Sequence, residues 1–582
     1  MEFLESFTFW EEFWIIFFII IFAWYVHDKY VQREHQLLVN YPIIGRLRYL
    51  LEEVREPFRQ YFGDEKFYES KDKLDWVHKA SRDKPNYASF SPSQPLPKPK
   101  FMIRHANIVL NEEEVDTDFS VTFGERREKP YVAKSIISRS AMSDGSISPE
   151  GTRAFVRGAQ MGEFPINSGE GGVTSNFFVT HQHYDPKYMT LVEGSAFQKK
   201  VKDVVKFFFN GATAADVYRK LVFGKDEEAE TYILDVEKKI FYRPDWNLPL
   251  AMFPEEIPAD MPDIIFQISS GLYGARDLDG NFDPLRYQKV MKFCKMTEIK
   301  IAQGAKQTGG KLAAHKVTPA IAYYRNVKAY ENVFSPNRFP YANSIEELFD
   351  FIGKLQKLSH KPVGIKIVIS DIENIEPYAK EIKKRIDEGN EAYPDFISID
   401  AGSGGSATAP IEMMERVGLN LRDSVYLVDK ILTQYNVRDK VRLVASGKIL
   451  TPDDIIIIMS LGADFLQIAR GFMMSAGCIR ARYCSGTEGK ECPVGLATQD
   501  KSKRRKYFVF KQAKKVAAYH KNLLKGVRGM LAIMGLKNIS QLNKHRLMFI
   551  DKDSKVHDNI DHVFKRRLDI GKDLEDEYHE SR

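Results

Sequence analysis

Lys366 lies inside the apolar run VGIKIVIS, residues 363–370. A lysine flanked by isoleucines in a buried strand is costly unless its charge is paired or used. The alternative is an edge position from which the amine snorkels to water. Gln267, in IIFQIS, is placed similarly. Downstream come three loops of small residues: Asp400-Ala401-Gly402-Ser403-Gly404-Gly405, then Ser446-Gly447-Lys448, then Arg470-Gly471. Such loops let backbone amides close on a phosphate. One loop is a weak signal. Three in succession behind a buried lysine point to a phosphorylated planar cofactor. Cys478, Cys484 and Cys492 follow at once. Thiols this close suggest a metal cluster or a reactive thiol, and otherwise reduced, partly buried side chains. Cys294, in a predicted helix, reads as core.

These residues sit at the ends of apolar, β-branched runs that alternate with longer helical stretches. The runs are Ile136–Met142, Glu163–Asn167, Ile264–Ser269, Ile299–Gln303, Val363–Ser370, Phe396–Asp400, Val441–Ala445 and Phe465–Ala469. Alternation of this kind implies a parallel sheet covered on both faces. Eight units predict an α/β fold of the closed (β/α)8, or TIM barrel, type, with the loops at the C-terminal mouth. An open doubly wound sheet would call for a GxGxxG turn at the first unit, and none is there. The second and third strands are separated by an insertion at 176–260. It contains two predicted helices broken at Asn210-Gly211 and the sequence His181-Gln182-His183. Two histidines at i, i+2 without a third ligand read as surface or packing residues. Its place at the barrel mouth suggests a lid or an oligomer contact.

The barrel is expected over residues 131–500. Residues 7–27 read as a transmembrane anchor, 28–130 as a neck and linker, and 501–582 as a helical C-terminal tail, loose beyond Asp551. The run Phe13–Val26 is wholly apolar, with Trp10, Trp14, Trp24 and Tyr25 near its ends as interfacial anchors. Glu2 and Glu5 precede it, Lys29 and Arg33 follow, and no cleavage site is recognisable. That pattern favours an uncleaved anchor over a signal peptide, with the bulk of the chain cytoplasmic. SPSQPLPKPK (91–100) reads as an extended solvated connector. Hydrophobic content of 43% and charged content of 28% exclude a globally disordered chain. A net charge of +6, without a basic stripe interleaved with aromatics, gives no sign of nucleic acid as a partner. Four cysteines do not make a secreted disulfide framework, and a reducing compartment fits them better. The basic run KSKRRK (501–506) reads as a solvated face or as a contact with anionic lipid.

The ordered series NSGEGG (167–172), FQISSGLYG (266–274), EIKIAQGAK (298–306), GIKIV (364–368), DAGSGGSATAP (400–410), ASGK (445–448), ARG (469–471) and CPVGLATQ (492–499) resembles the FMN-binding synthase domain of the glutamate synthase family. It is most similar to the family's shorter, stand-alone members with an N-terminal hydrophobic segment, whose neck the stretch NYPIIGRLRYLLE (40–52) also resembles. The resemblance runs from about residue 33 to about 535, apart from the insertion. It implies FMN in the barrel, with Ala141, Met142 and Ser143 beside the ring. Gln267 and Lys366 would lie at its N1/O2 edge. Gly404, Gly405, Ser446, Gly447, Lys448, Arg470 and Gly471 would hold the phosphate. Gln303, Lys306 and Ser175 would lie near the substrate carboxylates, and Lys366, Gln303 and Lys306 would form the catalytic set. The implied reaction reduces 2-iminoglutarate, from 2-oxoglutarate and ammonia, to glutamate. In full-length members three cysteines ligate a 3Fe-4S cluster, which the resemblance transfers to Cys478, Cys484 and Cys492.

The chain departs from the family in two places. The loop after QGAK is Gln307-Thr308-Gly309-Gly310, one residue shorter than the family's and without its acid. The cysteine spacing is C-x5-C-x7-C, where the family has C-x5-C-x4-C. No amidotransferase segment or dinucleotide fold is recognisable, so the expected electron source is a separate donor, a ferredoxin-like protein or membrane quinone. Two alternatives stay open from the sequence. One is a membrane-linked flavin dehydrogenase of another small amino or oxo acid coupled to quinone. The other is a non-catalytic FMN electron-transfer subunit.

Overall fold

The computed structural model describes residues 9–53, 70–87, 98–178, 189–192, 195–223, 233–235, 240–244, 253–304, 309–410, 412–413, 416–481, 483–486, 491–504 and 507–568. Its centre is a closed barrel of eight parallel strands. They are β1 (Ile137–Arg139), β2 (Ile166–Asn167), β3 (Ile264–Ile268), β4 (Met296–Lys300), β5 (Val363–Ile367), β6 (Phe396–Asp400), β7 (Arg442–Ser446) and β8 (Phe465–Ile468). β8 closes on β1 through Leu466–Ile137, Gln467–Ser138 and Ile468–Arg139. Every residue of β3, β5 and β6 is buried, as expected of strands covered by side chains inside and helices outside. All eight strands fall within or against the runs read from the sequence. Lys366 is on a central strand and buried, so the snorkelling alternative is excluded.

Residues two apart in a strand face the same side. That rule sorts the barrel interior into layers. Ile265, Met296, Phe396, Val444 and Phe465 form the N-terminal layer, packed against Phe123 and Tyr131 of an antiparallel hairpin, Val121–Phe123 with Tyr131–Ala133. Phe123 stands edge-on to Phe396 and Phe465, at 5.5 and 5.2 Å between centroids, and plugs that end. Burying such a ring stabilises the fold by roughly 2 kcal/mol. Two residues further along each strand come Gln267, Glu298, Ser398, Ser446 and Gln467. Lys300 and Asp400 lie two residues beyond Glu298 and Ser398, nearer the mouth. An apolar floor therefore gives way to polar and then charged side chains at the end where barrels do chemistry.

Outside the barrel, α1 (Phe9–Val26) is the apolar N-terminal helix, and α2 (Pro149–Gly162) follows β1. The insertion supplies α3 (Ala196–Phe208) and α4 (Gly211–Phe223), broken where Asn210-Gly211 predicts. It also supplies a small antiparallel sheet of Met189–Val192, Ile233–Asp235 and Ile240–Pro244, which the sequence did not suggest. His181 and His183 lie outside the described residues. The long helix α5 (Val509–Ile533) packs along α2 so closely that a Cβ on Gly158 would meet Val516 Cγ1 at 2.4 Å.

Two expectations are corrected. The end of the Pro-rich stretch is not a solvated connector: Lys100–Ile103 pairs antiparallel with Leu547–Ile550. The chain beyond Asp551 is not loose throughout: the helix Ile560–Leu568 buries Phe564, which stacks on Tyr426 at 4.0 Å.

The foot of α1 is fixed to the body of the protein. Asp28, fully buried, takes Arg46 Nε and Nη2 at 2.8 and 2.6 Å and the Ile43 amide at 3.0 Å. Arg46 in turn lies over the Trp24 ring at 5.1 Å. The neck helix Gln36–Asn40 buries Leu37, Leu38 and Val39, and the Asn40 amide donates to the Pro493 carbonyl at 2.7 Å. The stretch Phe13–Val31 is long and apolar enough to cross a membrane, and 11% of it is buried. By length and composition alone it also suits a signal sequence.

Candidate active site

The centre of the barrel is held by a carboxylate. Glu298, fully buried on β4, accepts four side-chain hydrogen bonds. Asn167 Nδ2 and Gln267 Nε2 reach Oε1 at 2.8 and 2.6 Å, and Ser398 Oγ and Gln467 Nε2 reach Oε2 at 2.5 and 2.9 Å. Donors from β2, β3, β6 and β8 thus converge on one acceptor. A buried carboxylate is tolerated when its lone pairs are filled in this way. Gln267, expected at the cofactor, is one of these donors, so its amide orientation is set by Glu298.

Beside this network lies the Lys366–Asp400 pair, Nζ to Oδ1 at 3.5 Å, both residues buried. Burial works against the lysine's charge, but Asp400, Glu298 and Glu170 more than offset it, and the amine stays above its ordinary value. Lys366 is therefore a fixed cation inside the barrel. The other Asp400 oxygen accepts the Gly304 amide at 2.8 Å, which ties the loop after β4 to β6. There a Cβ on Gly304 would fall 1.6 Å from the Ala401 carbonyl oxygen, so only glycine permits the contact.

At the mouth, Lys300 Nζ bonds Glu170 Oε2 and Gln303 Oε1, both at 2.9 Å. Gln303 Nε2 donates to the Gly405 carbonyl at 3.0 Å. Gly405 also faces Arg470: a Cβ there would lie 3.8 Å from its Nη2. Ser446 joins the same sector, with its carbonyl accepting the Ala401 amide at 3.0 Å and its hydroxyl 3.4 Å from that of Ser140. Gly447 adopts φ +144° against the Ala401 methyl, and Lys448 is left-handed at φ +49°. Gly404, Gly405, Ser446, Gly447, Lys448 and Arg470 are thus gathered in one sector, above the turn of Asp400 and Ala401. Gly471 has a packing role as well, since a Cβ on it would collide with the Tyr519 hydroxyl at 2.0 Å.

Ala141, Met142 and Ser143 follow β1 and are braced from two sides. Arg139 Nη1 donates to the Ser140 and Met142 carbonyls at 3.0 and 3.1 Å, and burial pulls this guanidinium down to about 9. Gly169, at φ +69°, comes so close that a Cβ would sit 2.5 Å from the Ser143 nitrogen. Next to them the buried Asp144 takes Thr174 Oγ1 and Asn176 Nδ2, both at 2.6 Å, and burial raises its carboxyl despite these donors. Ser175 lies between those two residues and is buried. Lys306, with Gln307 and Thr308, lies outside the described residues. Gly310 is described, and a Cβ there would be 3.1 Å from Glu170 Oε1.

The three clustered cysteines are brought together. Burial pushes Cys478 up to about 12, and the charges of Cys484 and Cys492 add to the shift. Lys316, buried, donates to the Cys484 carbonyl at 2.7 Å and feels Glu491 and both of the later thiols. Among the described residues no three His, Cys, Asp or Glu side chains converge on a single metal ion. Cys294 is fully buried, as expected of a core residue, but it lies in the turn between the helix Pro284–Met291 and β4 and not in a helix; burial raises it to about 12.

Sequence reasoning missed Glu298 and Lys300 as site residues. Their signal was present in EIKIA, where two charged residues alternate with isoleucine as Lys366 does in GIKIV.

A family model described as the conserved region in glutamate synthase matches residues 75–537. The chain belongs to the glutamate synthase family. Members of that family are oxidoreductases acting on amino donors. The chain is 28% identical to the glutamate synthase large subunit-like protein YerD of Bacillus subtilis, covering 94% of this chain and 96% of that one. It is 29% identical to the archaeal-type glutamate synthase [NADPH] of Dehalococcoides mccartyi over 52% of this chain and 56% of that protein. It is also 29% identical to the ferredoxin-dependent glutamate synthase of Cyanidium caldarium, over 52% of this chain and 17% of that protein. The chain thus spans nearly all of the Bacillus protein and from about a sixth to just over half of these glutamate synthases. Among solved structures, the flavin-binding domain of baker's yeast flavocytochrome b2 aligns over 92% of this chain and 95% of that one, at 11% identity and a TM-score of 0.40.

Proposed function

We propose that the barrel mouth binds FMN and that the protein is a membrane-anchored oxidoreductase of glutamate-synthase type, reducing 2-iminoglutarate to glutamate with electrons from a separate donor. The observation that carries this reading is Lys366: a lysine kept charged inside the barrel, beside three glycine-containing loops gathered in one sector. The residues suit the group. Arg470 and Lys448 supply charge and the Gly404, Gly405 and Gly447 backbone supplies close approach for a phosphate. Gln267 and Lys366 supply a donor and a cation for the polar edge of an isoalloxazine ring. The braced Ala141–Ser143 segment supplies a wall for its reactive side. When bound, FMN supplies hydride transfer to a carbon–nitrogen double bond.

The chain's own residues then bind and orient. Lys300 and Gln303, with Lys306, suit the carboxylates of a dicarboxylic 2-oxo acid. Glu170, paired with Lys300, places an acid beside Gly310, on the loop that lacks the family's own. Lys366 holds charge near the ring without giving up its proton, because Asp400 and Glu298 stabilise the ammonium form. For the cysteines, Cys478, Cys484 and Cys492 supply the three thiols that a 3Fe-4S cluster takes as ligands, and the family resemblance supports that reading. The buried Lys316 would balance thiolate charge, so a 3Fe-4S cluster on Cys478, Cys484 and Cys492 is part of the reading. The polarity of α1 and its flanks supports an anchor with the barrel on the cytoplasmic side, and the separate donor in this reading is a ferredoxin-like protein or quinone.

The visible spectrum of protein purified without oxygen tests the cofactors. Flavin bands bleached by dithionite are expected, with iron and acid-labile sulfide. Protein that contains no flavin and takes up no FMN would remove the proposal. Flavin without iron would remove the cluster alone.

A further inference from the structure

The described α3–α4 hairpin of the insertion supplies none of the site's side chains named above, yet it carries an exposed apolar feature. Phe207, Phe208 and Phe209 end α3 at the turn into α4, and they are 83%, 71% and 71% exposed. Three adjacent phenylalanines left in water are unusual for a monomeric surface unless something covers them. Val204, one turn back, extends the patch. The rest of the hairpin is basic. Residues 195–223 contain Lys199, Lys200, Lys202, Lys206, Arg219 and Lys220 against Asp203 and Asp216. A basic amphipathic helix with an aromatic end is built for the interface of an anionic bilayer.

The hairpin's position singles out that occupant. Its base is fixed at the foot of α1. Phe197 stacks on Tyr30 at 5.4 Å and stands edge-on to Phe22 at 6.4 Å. Tyr30 Oη is 3.3 Å from Ser195 Oγ, and Arg33 donates to the Lys220 carbonyl at 3.2 Å. Phe22 belongs to the apolar stretch of α1, whose neighbours Phe17, Phe18 and Ile19 are exposed. The base of the hairpin therefore joins the apolar surface of α1, and Phe207–Phe209 stand at the other end of α3. Positive charge also gathers around the neck. Arg33 lies over Phe508 at 4.9 Å and Lys503 over Tyr41 at 5.9 Å, which brings the basic run at 501–504 beside the neck. Each basic residue near an anionic surface adds to the attraction.

We propose that the α3–α4 hairpin is a second membrane contact, which seats Phe207, Phe208 and Phe209 in the acyl boundary of an anionic bilayer while its lysines meet the headgroups. The proposal rests on the anchor reading of α1. Together the two elements hold the barrel in one orientation to the membrane, where a single helix would leave it free to swivel.

The test uses the full chain reconstituted in phosphatidylcholine–phosphatidylglycerol vesicles that contain a photoactivatable phospholipid, with lipid–peptide adducts mapped by mass spectrometry. Adducts are expected on 13–22 and on 204–209, and not on the exposed Leu278 and Leu285 of the barrel. A triple Phe207→Ser, Phe208→Ser, Phe209→Ser variant should lose the second set and keep the first. Adducts on 13–22 alone would overturn the proposal and leave the anchor standing. Adducts on neither would remove the anchor and the proposal with it. Adducts on 204–209 alone would remove the anchor and overturn the two-contact proposal, leaving the hairpin as a single contact.

Discussion

Replacing Glu298 tests the internal logic of the barrel. In Glu298→Ala, Asn167, Gln267, Ser398 and Gln467 would lose their common acceptor in a fully buried layer. An unsatisfied buried donor costs about 1–3 kcal/mol. Four of them bring the range to roughly 4–12 kcal/mol, and water entering the vacated space would offset part of it, which points to the lower end. A loss of about 4 kcal/mol is a large share of the roughly 5–15 kcal/mol by which proteins of this kind are stable. Glu298→Gln should behave differently. One amide oxygen can keep Asn167 and Gln267. The amide nitrogen can donate to the Ser398 hydroxyl and to a flipped Gln467, whose Oε1 is buried without a partner in the present arrangement. What is lost is charge assistance, about 1–2 kcal/mol. Urea unfolding in detergent, followed by near-UV circular dichroism, gives both numbers. A cost below about 1 kcal/mol for Ala, or equal destabilisation by Ala and Gln, would contradict the role of Glu298 as the common acceptor.

Other consequences are as specific. Lys366→Met removes the fixed cation and is expected to lower the flavin reduction potential and weaken FMN binding; an unchanged potential in a spectroscopic redox titration would take the lysine out of the site. Gly169→Ala drives a methyl into the Ser143 backbone and should reduce FMN retention with unaltered far-UV circular dichroism, whereas wild-type flavin content would show that the Ala141–Ser143 wall does not matter. His520 stacks on Phe164 at 4.4 Å with Nε2 2.8 Å from Ser135 Oγ, and burial lowers it from an ordinary 6.5 to about 3. The unfolded chain therefore takes up this proton first, and stability falls by about 1.4 kcal/mol per pH unit between 6.5 and about 3. Unfolding measured at pH 7.5 and 5.5 should show a smaller difference in His520→Phe than in the wild type, and equal differences would refute the assignment.

Much of the scaffold was legible because barrel strands buried on both faces read as short β-branched runs closed by small residues. Lys366 stood out for the same reason, as the one cation in GIKIV. Glu298 did not stand out, although the same alternation runs through EIKIA. Its role exists only when Asn167, Gln267, Ser398 and Gln467 arrive from four other strands, and no local pattern encodes that meeting. Lys100–Ile103 was misread for a related reason: its partner strand, Leu547–Ile550, lies at the other end of the chain. The plug formed by Phe123 was equally invisible, since its partners are the inward residues of strands that follow it in sequence. The hairpin of the insertion was readable as two helices from Asn210-Gly211, but its contact with Phe22 and Tyr30 was not.

One measurement tests the proposed chemistry directly. The reconstituted protein is reduced under anaerobic conditions and mixed with 2-oxoglutarate and ammonium, together and singly, while flavin absorbance is followed. The proposed function predicts that the flavin is reoxidised rapidly only when both are present, with glutamate formed in proportion. Reoxidation no faster with both substrates than with neither would contradict it.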